Sequence, residues 1–186
     1  MRRWVQIACL TAMMPLATAT AGSRTTLVDE GQWGRFGGTW VHQAEVGPGL
    51  RVPALVVLNA DGTVTGAGGL LFGGLPGNPL RSSPIYGVWE RTGWKRIAVT
   101  TLSHAYEAAT GVLVGYERHR ASLDFATGFG SYGGTEFMET LSCSSPLTCP
   151  DPLDPAAEWA PLPTMPATGF PVSGARVELV ETGPLP

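Results

Sequence analysis

Charge is scarce in this chain. Asp, Glu, Lys and Arg together make 15% of its 186 residues, lysine occurs once, at Lys95, and histidine three times, at His42, His104 and His119. The arginines lie singly or in pairs under a formal net charge of −3, so no basic run is present to hold a phosphate backbone or an anionic membrane, and nucleic acid is not expected as a partner. Helix signals are also missing: between Gly37 and Leu141 no segment repeats apolar residues at i, i+3 and i+4. No H-E-x-x-H helix, G-x-S-x-G elbow or P-loop occurs, and three isolated histidines do not make a metal site; neither metal nor cofactor is expected. Gly128-Phe129-Gly130-Ser131-Tyr132-Gly133 fits G-x-G-x-x-G in letters, but it opens a strand instead of joining a strand to a helix, which excludes the dinucleotide reading. There is no N-x-S/T acceptor for glycosylation.

Cysteine is sparse, and its placement bears on the compartment. Arg2 and Arg3, the apolar stretch Trp4 to Leu16, and Ala19-Thr20-Ala21 read as a signal peptide over 1–21, with cleavage near Ala21 and export by the general or the twin-arginine route. The apolar stretch is shorter than the roughly 20 residues a membrane span needs, so no span is expected in the mature protein, which would be secreted or periplasmic. Cleavage removes Arg2, Arg3 and Cys9, taking the formal charge from −3 to −5 and leaving Cys143 and Cys149 as the thiols. In an oxidising compartment that pair reads as a local disulfide; no histidine lies within twenty residues of it to complete a zinc site.

What the chain has in abundance is glycine, with 25 residues, and proline, with 16. Strand-like runs bounded by turn dipeptides recur at Thr39 to Glu45, Ala54 to Leu58, Thr63 to Phe72, Ile85 to Arg91, Trp94 to Tyr106, Val112 to Phe125 and Phe129 to Leu141. Asn59-Ala60-Asp61-Gly62, Thr92-Gly93, Thr110-Gly111 and Thr127-Gly128 mark tight connections. Gly73 to Pro84, with Pro76, Pro79 and Pro84, reads as a surface loop. Residues 146–171 carry eight prolines and read as an extended strap. Alternation resumes at Val172 to Glu181, with Ala175, Val177 and Leu179 on one face, as an eighth strand that would close the sheet and remove its edges. The expected organisation is a signal peptide (1–21), an N-terminal extension (22–36), a β-barrel domain (37–145), the Pro-rich strap (146–171), and a final strand with its tail (172–186). The fold class is all-β: an antiparallel up-and-down barrel of about eight strands.

Gly38-Thr39-Trp40 heads the first strand, with Trp33 and Gly37 just upstream. A Gly-x-Trp at that place, followed by a strand meander, resembles the lipocalins and the wider calycin group; Gly38 and Trp40 match letter for letter, whereas the family's Thr-Asp-Tyr segment has no counterpart. The resemblance implies a barrel whose closed end is plugged by Trp40, with a basic residue from a late strand over its ring; Arg176 holds that position. If Trp40 points inward, period-two geometry sends Gly38, His42 and Ala44 inward as well, unless a bulge shifts the register or His42 sits at a wet rim.

Along Val112 to Phe125, the set Glu117, His119, Ala121, Leu123 and Phe125 is the more apolar and is expected to face inward. On the next strand, Glu136 and Met138 oppose Thr135 and Phe137, and the pattern leaves the buried face open. An interior His119 beside Glu117 or Glu90 is what proton transfer on a bound molecule requires, although such a pair also serves as a structural hydrogen bond. Gly66, Gly68, Gly69, Gly73 and Gly74 let the third strand bend, or leave room for a ligand. The leading reading is a non-enzymatic exported barrel holding a small, largely apolar molecule, with Trp40, His42, Trp89 and Phe137 as ligand-binding residues and the Gly73 to Pro84 loop near the mouth. One alternative is a barrel isomerase or cyclase, similar in outline to the allene oxide cyclases, with His119, Glu117 and Glu90 as catalytic candidates. Another is a structural or interaction module of the cell envelope.

Overall fold

The computed structural model describes residues 34–69, 79–162 and 165–178. The expected signal peptide, all but the last three residues of the N-terminal extension, Leu70 to Phe72 of the expected third strand, the first half of the Gly73 to Pro84 loop and Leu179 lie outside the described residues.

Among the described residues ten strands are formed: β1 (Gly38–Gly47), β2 (Leu50–Leu58), β3 (Thr63–Gly68), β4 (Leu80–Ser82), β5 (Ile85–Arg91), β6 (Arg96–Glu107), β7 (Leu113–Phe125), β8 (Ser131–Ser142), β9 (Ala160–Pro161) and β10 (Phe170–Arg176). Strands β1, β2, β3, β5, β6, β7, β8 and β10 follow one another around a closed antiparallel barrel, because β10 bonds β8 on one side and β1 on the other. Closure leaves no strand of the ring with an unpaired edge. The expected turns hold: Gly62, Gly111 and Gly128 take φ of +86°, +70° and +96°, a region open to glycine at no steric cost.

Three expectations about strand limits are corrected. Inside the expected Gly73 to Pro84 loop, β4 pairs β6 through Leu80↔Glu107 and Ser82↔Ala105, so β4 and β5 together line one long partner. The break between them falls at Ser83-Pro84, where proline has no N–H to donate. Strand β6 starts at Arg96, and Trp94, expected in it, lies exposed in the turn before it. Finally, β10 begins at Phe170, ahead of the expected start at Val172, and turns Phe170 and Val172 inward, while Ala175 and Val177 face out. Gly174 explains the choice, for a Cβ there would lie 2.1 Å from Cζ of the Tyr132 ring.

The closed end is a knot of aromatic rings. Phe36 meets Phe125 and Phe129 edge-on at 4.9 and 5.1 Å, and Trp40, wholly buried, meets Phe125 and Tyr132 at 5.2 Å. Nε1 of Trp40 donates to the carbonyl of Phe36, so the indole is buried with its polar atom satisfied. Arg176 lies over the Trp40 ring, 5.0 Å from its centroid, and Nη2 donates to the carbonyls of Arg35 and Gly37 at 2.6 and 2.7 Å. The final strand thereby fastens the segment that enters the first.

After β8 the Cys143–Cys149 disulfide closes a short loop. The strap then runs along the upper half of β8, where Glu139↔Pro161 and Thr140↔Ala160 form β9 and Trp159 stacks on the Arg118 guanidinium at 4.3 Å. The lower half of β8, Ser131 to Glu136, is left for β10.

Candidate functional site

Above the aromatic plug the barrel keeps an interior cavity of about 110 Å³. Its walls come from the inward positions of successive strands: Val52, Ala54 and Val56 of β2, Val64 of β3, Ile85 of β5, Val99 of β6, and Ala121 and Leu123 of β7. Gly68 and Gly69 line it as well, contributing no side chain, and Ser82 and Ser83 reach it from the segment after residue 78.

Polar groups gather in one layer of this wall. Glu136, on the inner face of β8, is bonded through both oxygens: Oε2 to Nε2 of His42 at 3.0 Å and Oε1 to Nδ1 of His119 at 2.5 Å. A carboxylate only accepts, so each of those ring nitrogens carries the proton. Nδ1 of His42 meets the Tyr132 hydroxyl at 2.9 Å, which gives an unbroken chain of hydrogen bonds from Tyr132 to His119. Glu117, buried one pair further along β7, accepts from the hydroxyls of Ser82 and Ser103 at 2.5 and 3.1 Å.

The electrostatics follow from this bonding. Burial opposes charge on Glu136, but the hydrogen bonds from His119 and His42 and the charges behind them outweigh it, holding the carboxyl well below its usual range. Burial alone would lower His119; the bond to Glu136, then the charges of Glu136 and Glu117, raise it above an ordinary imidazole. Tyr132 is pushed upward by burial and by the Glu136 charge, so it stays a neutral hydroxyl. The pairing of His119 and Glu136 therefore favours the charged form of both partners inside a largely apolar chamber.

No protein-family model, curated protein or solved structure matches this chain.

The residues singled out from the sequence separate into three places. His42 and His119 line the cavity, and Glu117 is buried beside it on the same face of β7. Trp40 and Trp89 are buried in the closed-end plug below the cavity; neither lines it. Glu90 is exposed on the outer face of β5, away from both histidines, and Phe137 is on the outer face of β8, its ring against Gly169 where the strap turns into β10. His104 is likewise outside, stacked on Tyr106 and tilted against Tyr116.

Sequence reasoning missed Glu136, Tyr132, Thr101, Ser82 and Ser103 as members of the site. On β8 the alternation Tyr132, Gly134, Glu136, Met138 is present in the sequence, but Phe137 on the competing parity masks it. Phe137 can point outward because the strap covers it, a contact that nothing local to β8 announces.

Proposed function

We propose that this chain is an exported barrel, of lipocalin-like (calycin) kind, that holds a small, largely apolar molecule in its interior. The observation that carries this reading is the cavity itself: about 110 Å³ with aliphatic walls on most sides and one layer of hydrogen-bonding groups, the usual composition of a small-molecule site. The Trp40 plug with Arg176 over its ring supports the kinship, and the Cys143–Cys149 disulfide is compatible with life outside the cytoplasm.

Native mass spectrometry of the protein purified from its own host tests the reading. A bound mass of small-molecule size, lost on gentle denaturation, is expected; a clean apo mass together with no uptake of small apolar probes would overturn it. The isomerase alternative draws on one observation, the orientation of His119 by Glu136 at 2.5 Å, which is how a carboxylate positions an imidazole for proton transfer. A structural envelope module would be favoured by an interior filled with side chains, and the cavity lends it no support.

A further inference from the structure

The hydrogen-bonding groups around the cavity can be matched against one another. Both Glu136 oxygens are taken by His42 and His119, the Tyr132 hydroxyl by Nδ1 of His42, and the Ser82 and Ser103 hydroxyls by Glu117. The Ser83 hydroxyl is turned to the Pro84 carbonyl. On the residues that line the cavity two groups are left over, Nε2 of His119 and the hydroxyl of Thr101, neither of which has a hydrogen-bond partner among the described residues; Oε1 of Glu117 also has none, but Glu117 does not line the cavity. Neither is sealed in the wall, because the buried side-chain nitrogen or oxygen that lacks a partner is Nε of Arg176. Thr101 is nonetheless only 4% exposed and lines the same cavity as His119. Their free valences therefore open onto the chamber.

Register places the two side by side. Thr101 of β6 and His119 of β7 are direct cross-strand partners on the inner face, a pairing that sets Cβ atoms roughly 4.5–5.5 Å apart. With Nδ1 committed to Glu136, the His119 ring in its protonated form, which that pairing favours, presents Nε2–H, and Thr101 presents O–H. Two adjacent donors suit one acceptor oxygen. The charge on that oxygen is limited by its surroundings, because Glu136 and Glu117 already place two carboxyl groups beside the His119 ring and a carboxylate ligand would add a third in a poorly solvated chamber. Size is limited too: a cavity of about 110 Å³ is somewhat smaller than the ~150 Å³ apolar cavity that takes up benzene.

We propose that the ligand of this chamber is a neutral oxygen-bearing molecule, a ketone, ester or lactone whose enclosed part is about the size of a small ring, with its oxygen accepting from Nε2 of His119 and the Thr101 hydroxyl. This rests on the interior being a binding site.

The test is a titration of the full mature chain, labelled for histidine ring nitrogens, with cyclopentanone, the isosteric hydrocarbon methylenecyclopentane, and cyclopentanecarboxylate. Cyclopentanone is expected to bind at least about tenfold more tightly than the hydrocarbon, the worth of a hydrogen bond from a charged donor, and to move the Nε2 resonance of His119. Thr101→Val, close to isosteric, is expected to lower ketone affinity severalfold while leaving hydrocarbon affinity unchanged, which also reports that the chamber is intact. Equal binding of ketone and hydrocarbon, or tightest binding of the carboxylate, overturns the assignment of the oxygen site while the chamber remains a binding site. Uptake of none of the three probes overturns the binding reading itself. Should Thr101→Val fail to fold, the ketone-to-hydrocarbon ratio and the His119 shift in the parent protein decide the matter.

Discussion

Glu136 gives one oxygen to each of two histidines that are 94 and 17 residues away along the chain. Its effect on stability has a definite sign. The depressed Glu136 carboxyl contributes stability that is present above its ordinary value and lost as the pH falls through its folded one. The raised His119 contributes stability that is present below its ordinary value and lost as the pH rises through its folded one. Between about pH 4.5 and 6.5 both contributions are present, and stability is expected to decline as the pH rises above about 6.5. Glu136→Gln removes the partner and leaves burial to dominate His119, so the variant is expected to gain stability as the pH rises towards about 6.5 and to level off above it, where the parent declines. Urea unfolding at several pH values checks this, and parallel slopes for the two proteins would refute it. Near pH 6 the substitution is expected to cost about 3 kcal/mol, the usual loss on breaking a buried ion pair from one side.

At the scale of elements, β10 is the strand that makes the ring, and Gly174 is where it passes closest to its neighbour. A Cβ at this position would stand 2.1 Å from Cζ and 2.5 Å from the hydroxyl of Tyr132, the hydroxyl that bonds His42. Gly174→Ala is therefore expected to destabilise the barrel by about 1–3 kcal/mol and to shift the His42 ring resonances. Gly130→Ala is the control, since nothing lies within 4 Å of its added Cβ, and it is expected to stay within about 0.5 kcal/mol of the parent. Equal effects of the two substitutions in thermal or urea unfolding would contradict the close approach of β10 to Tyr132. The strands themselves were largely legible: Ile85–Arg91 coincides with the expected run, and the inward set of β7 was read correctly from its alternation. Which face of β10 turns inward was not legible, because the local pattern only groups Ala175 with Val177, whereas the interior space is set by Tyr132 above Gly174.

For the whole molecule, closure makes a prediction about hydrogen exchange. Backbone amides of β1 and β8 that bond β10 are expected to exchange about as slowly as those in the β6–β7 ladder, since a closed ring has no fraying edge. Markedly faster exchange along the β8–β10–β1 seam would mean a sheet that opens there. Alternation within single strands and the turns at Asp61-Gly62, Thr110-Gly111 and Thr127-Gly128 determined, from the sequence by itself, an antiparallel meander with His119 facing inward, because both are properties of a few adjacent residues; His42 followed only if Trp40 pointed inward. Tertiary structure alone decided that Glu136 joins those histidines and that Phe137 faces out beneath the strap. It also left the donors of Thr101 and His119 open to one chamber. Those contacts depend on the register between strands and on ring closure across as many as 94 residues, and no local pattern encodes either.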